Sequence, residues 1–84
     1  MYYIYILYSE HTDSYYIGST EDIDSRLQRH NAGATPSTKA GRPWRVVYRE
    51  SYEHKGDAIR REKYIKRMKS RKYTESLFSK NPAG

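Results

Sequence analysis

The clearest pattern in the chain is a short apolar alternation that is interrupted once and then resumes. Tyr2 to Tyr8 is aromatic, isoleucine or leucine throughout, without glycine or proline, which predicts a strand. Tyr3, Tyr5 and Leu7 fall on one face, and Tyr2, Ile4 and Ile6 on the other. Both faces are apolar enough to be covered, so this strand belongs inside a sheet. His11-Thr12-Asp13-Ser14 is a polar turn cluster. Tyr15 to Gly18 resumes the pattern, and the short spacing makes the pair an antiparallel hairpin.

The period then lengthens. Ser19-Thr20-Glu21-Asp22 predicts a helix start, with a hydroxyl as cap and two acids at the positive end of the dipole. This helix runs to about His30, with Ile23 and Leu27 on its core face and Asp22, Arg26 and His30 on another. Asn31-Ala32-Gly33 stops it, Gly33 or Asn31 supplying the left-handed residue. Ala34 to Pro43 is a polar stretch carrying Lys39 and Arg42, long for so small a chain, which favours a working loop over a connector.

Trp44 to Tyr52 alternates as a third strand, Val46 and Tyr48 on one face, Val47 and Arg49 on the other. Gly56-Asp57 opens a second helix, Asp57 as cap, extending to about Lys69. Ala58, Glu62, Ile65 and Lys69 fall in one stripe of it, while Arg60, Lys63 and Arg67 fan outward. Ser70 can cap a short last helix with Tyr73, Leu77 and Phe78. The expectation is one domain over residues 1–80 and a frayed tail over 81–84.

Composition narrows the function. The 84 residues suffice for one small domain. There is no cysteine, which excludes disulfides and a cysteine zinc site and fits a reducing compartment. No run of about 18 apolar residues exists to span a membrane. The start, Met1-Tyr2-Tyr3-Ile4, lacks a signal peptide's basic region, so a cytoplasmic location is expected. Net charge is +6, and Lys55, Arg60, Arg61, Lys63, Lys66, Arg67, Lys69, Arg71 and Lys72 crowd one segment. Such a cluster suits a phosphate backbone better than a merely solvated face, and suits a lipid surface least.

Glu62 breaks the apolar rule of its stripe. A carboxylate there must be protonated, paired with an arginine, or bound to a divalent cation. One carboxylate suffices for Mg²⁺ when water and substrate phosphate complete the octahedron. The hairpin tyrosines Tyr3, Tyr5, Tyr15 and Tyr16 are good strand residues first. A free tyrosine, with pKa near 10, is phenolate only about one time in a thousand at neutral pH. To act as a base it needs a cation or proton acceptor nearby, and Arg26, His30 or a metal at Glu62 would each serve. Arg26 and His30, one helical turn apart, read either as a solvated face or as a phosphate clamp with a proton-transfer partner. No HxxxH, P-loop or nucleophile-elbow spacing is present.

Taken in order, these residues resemble the GIY-YIG endonuclease superfamily, in its short single-domain bacterial branch. The first motif reads Tyr3-Ile4-Tyr5 and the second Tyr16-Ile17-Gly18. Arg26 follows Gly18 by eight residues and His30 follows by four more, and Ala58 to Lys66 is similar to the family's glutamate helix. The resemblance implies an α+β fold, a three-stranded antiparallel sheet flanked by helices. It implies an endonuclease hydrolysing phosphodiesters in DNA, branched or single-stranded DNA included, with Mg²⁺ or Mn²⁺, and a place in DNA repair. In that reading Tyr5 is the general base, Tyr16 holds the site or nucleophile, and Arg26 binds the scissile phosphate. His30 moves protons or orients Tyr5, Glu62 holds the metal, and Gly18 lets the backbone approach substrate. Lys39, Arg42, Arg60, Lys63 and Lys66 would touch nucleic acid.

Three departures stand out. The first motif's glycine is Tyr3, the lysine some members carry after the second motif is Ser19, and the late asparagine of some members has no match beyond Asn81. With no targeting domain attached, specificity would come from substrate structure, a homodimer or a protein partner. The alternative is a non-catalytic nucleic-acid-binding or RNA–protein-assembly module on the same scaffold.

Overall fold

In the computed structural model, which describes residues 1–78, the tyrosine-isoleucine run is the middle of the sheet. Strand β1 (Tyr2–Ser9) pairs antiparallel with β2 (Ser14–Thr20) on one side and with β3 (Trp44–Tyr52) on the other, giving the order β2-β1-β3. Being central, β1 buries both faces: Ile4, Tyr5, Ile6 and Leu7 are fully covered. Each such side chain stabilises by about 1.5–3 kcal/mol, so this strand is the main apolar anchor. The hairpin closes through Asp13, at φ 53°, and through the buried Ser9 hydroxyl, which accepts from the Thr12 amide at 3.1 Å.

Helix α1 (Ile23–Asn31) covers one face of the sheet. Ile23 and Leu27 pack there with Tyr5, Leu7, Tyr16, Val46 and Trp44. Its cap differs from the expected hydroxyl: the Asp22 carboxylate accepts from the Ser25 amide at 3.1 Å. Ser19 and Thr20 instead complete β2, because they still have partners across the ladder, Ile4 and Tyr3. Gly33 takes the left-handed conformation after α1, at φ 80°. Asn31 does other work: its amide accepts from the Trp44 N–H at 2.6 Å and donates to the Trp44 carbonyl at 3.0 Å.

Helices α2 (Lys55–Met68) and α3 (Arg71–Phe78) cover the opposite face. Ala58 and Ile65 meet Ile4, Ile17, Tyr48, Tyr52, Tyr73 and Leu77. The expected Asp57 cap is not made. The cap position is His54, without a side-chain bond, and Asp57 in the first turn instead pairs with Arg60. Lys69, in the left-handed region at φ 47°, ends α2. Ser70 caps α3, accepting from the Tyr73 amide at 3.0 Å.

Strand β3 does not alternate as expected. Val46 and Tyr48 do not share a face: Val46 packs on the α1 side and Tyr48 on the α2 side. The register shifts between Ile6 and Leu7, which pair with Tyr48 and Val46, so Val47 is an extra residue that reverses the alternation. The polar stretch before β3 is also more ordered than expected, with a 3₁₀ helix over Pro36–Gly41. The tail over residues 81–84, Asn81 and the domain's end at residue 80 lie outside the described residues.

Candidate active site

The pleat places Tyr5 opposite Gly18 on the α1 side of the sheet, and Ser19, one residue on, faces the α2 side. Gly18 lies in the edge strand and has no side chain, so the Tyr5 ring runs across it toward the open edge. A Cβ at position 18 would stand 2.6 Å from the Tyr5 hydroxyl. Glu62, on the other face, is near enough for its charge to act on the Tyr5 hydroxyl.

From the α1 side come His30, Arg26 and Tyr16. His30 is 3% exposed, with Nε2 3.2 Å from the Tyr5 hydroxyl and Nδ1 2.8 Å from Thr38 Oγ1. Tyr16 stacks at a tilt against it, ring centroids 4.8 Å apart, and stands 6.3 Å from the Tyr5 ring. The Arg26 guanidinium is close enough to act on the Tyr5 hydroxyl by charge and hydrogen bonding.

From the α2 side comes Glu62, its side chain 18% exposed. Ser19 Oγ donates to Glu62 Oε1 at 2.6 Å, and the Lys66 ammonium donates to Oε2 at 2.7 Å. The partner is thus a lysine, where an arginine was one expectation. Lys66 is half exposed and one helical turn away, a pairing worth only a few tenths of a kcal/mol.

The groups differ sharply in proton affinity. Burial, then the neighbouring Tyr16, pushes Tyr5 up to about 12, with Arg26 pulling the other way and Glu62 adding to the rise. Burial lowers His30 below its ordinary 6.5, and the charges of Arg26 and Arg29 lower it further. Near neutral pH the imidazole is therefore unprotonated and free to accept, and the phenol keeps its proton.

Sequence reasoning missed Thr38. It is 1% exposed and sits in the 3₁₀ helix, where Trp44 Nε1 donates to its carbonyl at 2.7 Å and its own hydroxyl donates to the Thr35 carbonyl at 3.3 Å. A hydroxyl at fixed distance from a buried histidine leaves no periodic trace. The tyrosine cluster is also smaller than expected, for Tyr15 lies on the other face and donates to Glu75 at 2.8 Å. Among the expected nucleic-acid contacts, Lys39, Arg42 and Lys63 are exposed, whereas Arg60 is engaged by Asp57 and Lys66 by Glu62.

Among the described residues, no three histidine or acidic side chains gather as a metal cage. Glu62 is still a suitable single ligand. Its oxygens are hard donors, and each accepts one hydrogen bond, which leaves lone pairs over. The exposed ammonium on Oε2 can move aside at small cost.

The GIY-YIG catalytic domain family matches residues 1–74, a span that holds all of these groups. The chain belongs to the GIY-YIG family. That family is one of nucleases, which act on nucleic acid and typically use a divalent metal. Among its relatives are the UPF0213 proteins of Staphylococcus aureus strains Mu50 and N315, 43% identical over 54 residues. Those alignments cover 63% of this chain and 66% of the relatives' length, just under two thirds. The solution NMR structure of a UPF0213 protein from Bacillus halodurans is 36% identical, with a TM-score of 0.59, covering 94% of this chain and 84% of that one. No helix among the described residues is long and apolar enough to cross a membrane.

Proposed function

We propose that this GIY-YIG domain is a divalent-metal-dependent endonuclease that hydrolyses phosphodiester bonds in DNA, branched and single-stranded DNA included. The observation that carries the reading is the Tyr5 hydroxyl. It lies over Gly18 at the sheet edge, against the His30 imidazole, and within the fields of Arg26 and Glu62.

With its pKa near 12, Tyr5 is ionised only about once in a hundred thousand molecules at neutral pH, too rarely to serve as a free phenolate. Instead Tyr5 relays. As water attacks phosphorus and the P–O bond to the leaving oxygen breaks, the water proton passes to the Tyr5 oxygen while the Tyr5 proton passes to His30 Nε2, leaving neutral tyrosine, an imidazolium and a leaving alkoxide that takes a proton from solvent. Arg26 holds the phosphate and balances the charge that grows on it. Tyr16 packs against His30 and keeps the imidazole in place. Glu62, oriented by Ser19, would hold Mg²⁺ or Mn²⁺, and such an ion would supply neutralisation of the charge that develops in the reaction. Lys39, Arg42 and Lys63 give exposed positive charge along which a backbone can lie.

The test is incubation with supercoiled, single-stranded and branched DNA and with RNA, in Mg²⁺, Mn²⁺ or chelator, beside Glu62→Ala and Tyr5→Phe. The expected result is metal-dependent cleavage by wild type alone, with binding retained in both variants. Equal cleavage by wild type and both variants would reject the assignment. Binding without cleavage under every condition would leave a nucleic-acid-binding module on the same scaffold.

A further inference from the structure

We propose that Thr38 is a positioning residue: its buried hydroxyl holds His30 in the tautomer protonated at Nδ1, which leaves Nε2 free to accept from Tyr5. The inference rests on the relay reading for its consequence in catalysis, but the geometry behind it stands alone.

A neutral imidazole has one N–H and one bare nitrogen, and the partner of one nitrogen decides the role of the other. His30 has a hydroxyl on each side, Tyr5 at Nε2 and Thr38 at Nδ1. A hydroxyl has a single proton, so Thr38 can donate in only one direction. Its proton goes to the Thr35 carbonyl, which has none to return. The remaining lone pair of Thr38 Oγ1 then accepts from Nδ1–H at 2.8 Å. Nε2 is left bare and accepts the Tyr5 O–H.

The opposite arrangement would turn Nε2–H toward the phenol oxygen, and His30 could take no proton from it. The backbone that carries Thr38 is held in place. Its carbonyl is tied to the Trp44 indole, and Trp44 is in turn tied at N–H and carbonyl to Asn31, next to His30 in α1. The other titratable or charged groups facing the imidazole are Tyr5 on β1, Tyr16 on β2, and Arg26 and Arg29 on α1. The two arginines oppose a second proton on the ring and do not choose between its nitrogens.

The test reads the histidine ring-nitrogen chemical shifts of the isotope-labelled full chain at a pH where His30 is neutral. The expected result is a protonated Nδ1 and a bare Nε2 in wild type and in Thr38→Ser, and loss of that preference in Thr38→Val. Cleavage kcat should fall roughly a hundredfold in Thr38→Val, the low end of what a positioned base contributes, with KM little changed and recovery in Thr38→Ser. The acid limb of the Thr38→Val rate profile should move to lower pH, because the imidazolium loses an acceptor.

A wild-type ring protonated at Nε2, or an unchanged tautomer in Thr38→Val, overturns the proposal whether or not the chain cleaves anything. The wild-type spectrum decides the matter even if Thr38→Val does not fold. If wild type shows the Nδ1–H form but cuts no nucleic acid, the tautomer assignment stands and the nuclease reading falls.

Discussion

Gly18 and Tyr5 are cross-strand partners in which one residue's missing side chain is the other's path: the phenol occupies the space a Cβ at position 18 would fill. Gly18→Ala should therefore push the hydroxyl away from His30 without touching a charged group. The expected loss of cleavage is about 10²–10⁴-fold, the range of a misplaced general base. Overpacking should cost about 1–3 kcal/mol of stability, and DNA binding should survive. Paired cleavage, binding and thermal-melting assays on this variant check all three.

The pH profile follows from His30. Its pKa is lowered by burial and by Arg26 and Arg29, so the neutral acceptor is present near neutral pH and is lost below the ordinary 6.5. Cleavage should rise with pH through that lowered value and then level off, with roughly a tenfold fall per unit on the acid side. Stability runs the same way. Between the lowered folded pKa and 6.5 the unfolded chain binds the extra proton, so the His30 contribution is intact above 6.5 and is lost as pH falls through that window. Denaturant unfolding at several pH values, beside His30→Gln, measures this; the variant should lose that part of the slope.

Two ion pairs on α2 should behave very differently. Arg61 grips Glu50 through both carboxylate oxygens, at 3.0 and 3.1 Å, and Tyr52 donates to the same carboxylate at 2.5 Å, beside a further bond from Tyr48. Burial works to raise the Glu50 pKa, yet Arg61 and the two tyrosines more than offset it and the net shift is downward. Arg61→Ala leaves the partly covered Glu50 carboxylate with only the two tyrosine hydroxyls and should cost about 1–3 kcal/mol in chemical denaturation. It should also impair cleavage, because the residue next to Glu62 is what fixes α2 to β3. Lys66→Ala on the exposed rim should cost a few tenths of a kcal/mol. It should also tighten Mn²⁺ binding to the free protein, measured by titration calorimetry, since a competing cation leaves Glu62 Oε2.

Salt dependence should separate the basic residues. On double-stranded DNA each phosphate contact adds about 0.9 to the slope of log K against log salt. Lys63→Ala and Arg42→Ala should each lower that slope by roughly this amount. Arg60→Ala should change it less, because Asp57 already engages that guanidinium. Fluorescence anisotropy over a salt series gives the slopes.

The existence of the strands and the polar face of α1 were legible because a period-two alternation and the Arg26-to-His30 spacing survive in a single sequence. The faces of β3 were not, since only pairing with Ile6 and Leu7 reveals Val47 as extra. The unusual position of Glu62 was legible too, since a carboxylate between Ala58 and Ile65 contradicts its own stripe. What stayed hidden depends on long-range partners. Ser19 looked like a helix cap, but pairing with Ile4 keeps it in the sheet and aims its hydroxyl at Glu62. Thr38 looked like loop, and only the closure of Trp44 over that loop carries its hydroxyl to His30. The Glu62–Lys66 pair is by contrast local: Lys66 was expected to touch nucleic acid, although its i, i+4 spacing from Glu62 already allowed the contact.

The unpaired Val47 makes β3 a strand read in two phases. Removing that residue, or placing a second one beside it, would restore plain alternation and turn Trp44 toward the wrong side of the sheet, breaking its tie to Thr38. Two neighbouring insertions would cost less than one, because parity rather than length is what the strand must keep. Errors of chain length in β3 should thus disable the edge site more readily than errors of side-chain type, although the strand contributes no group to the chemistry.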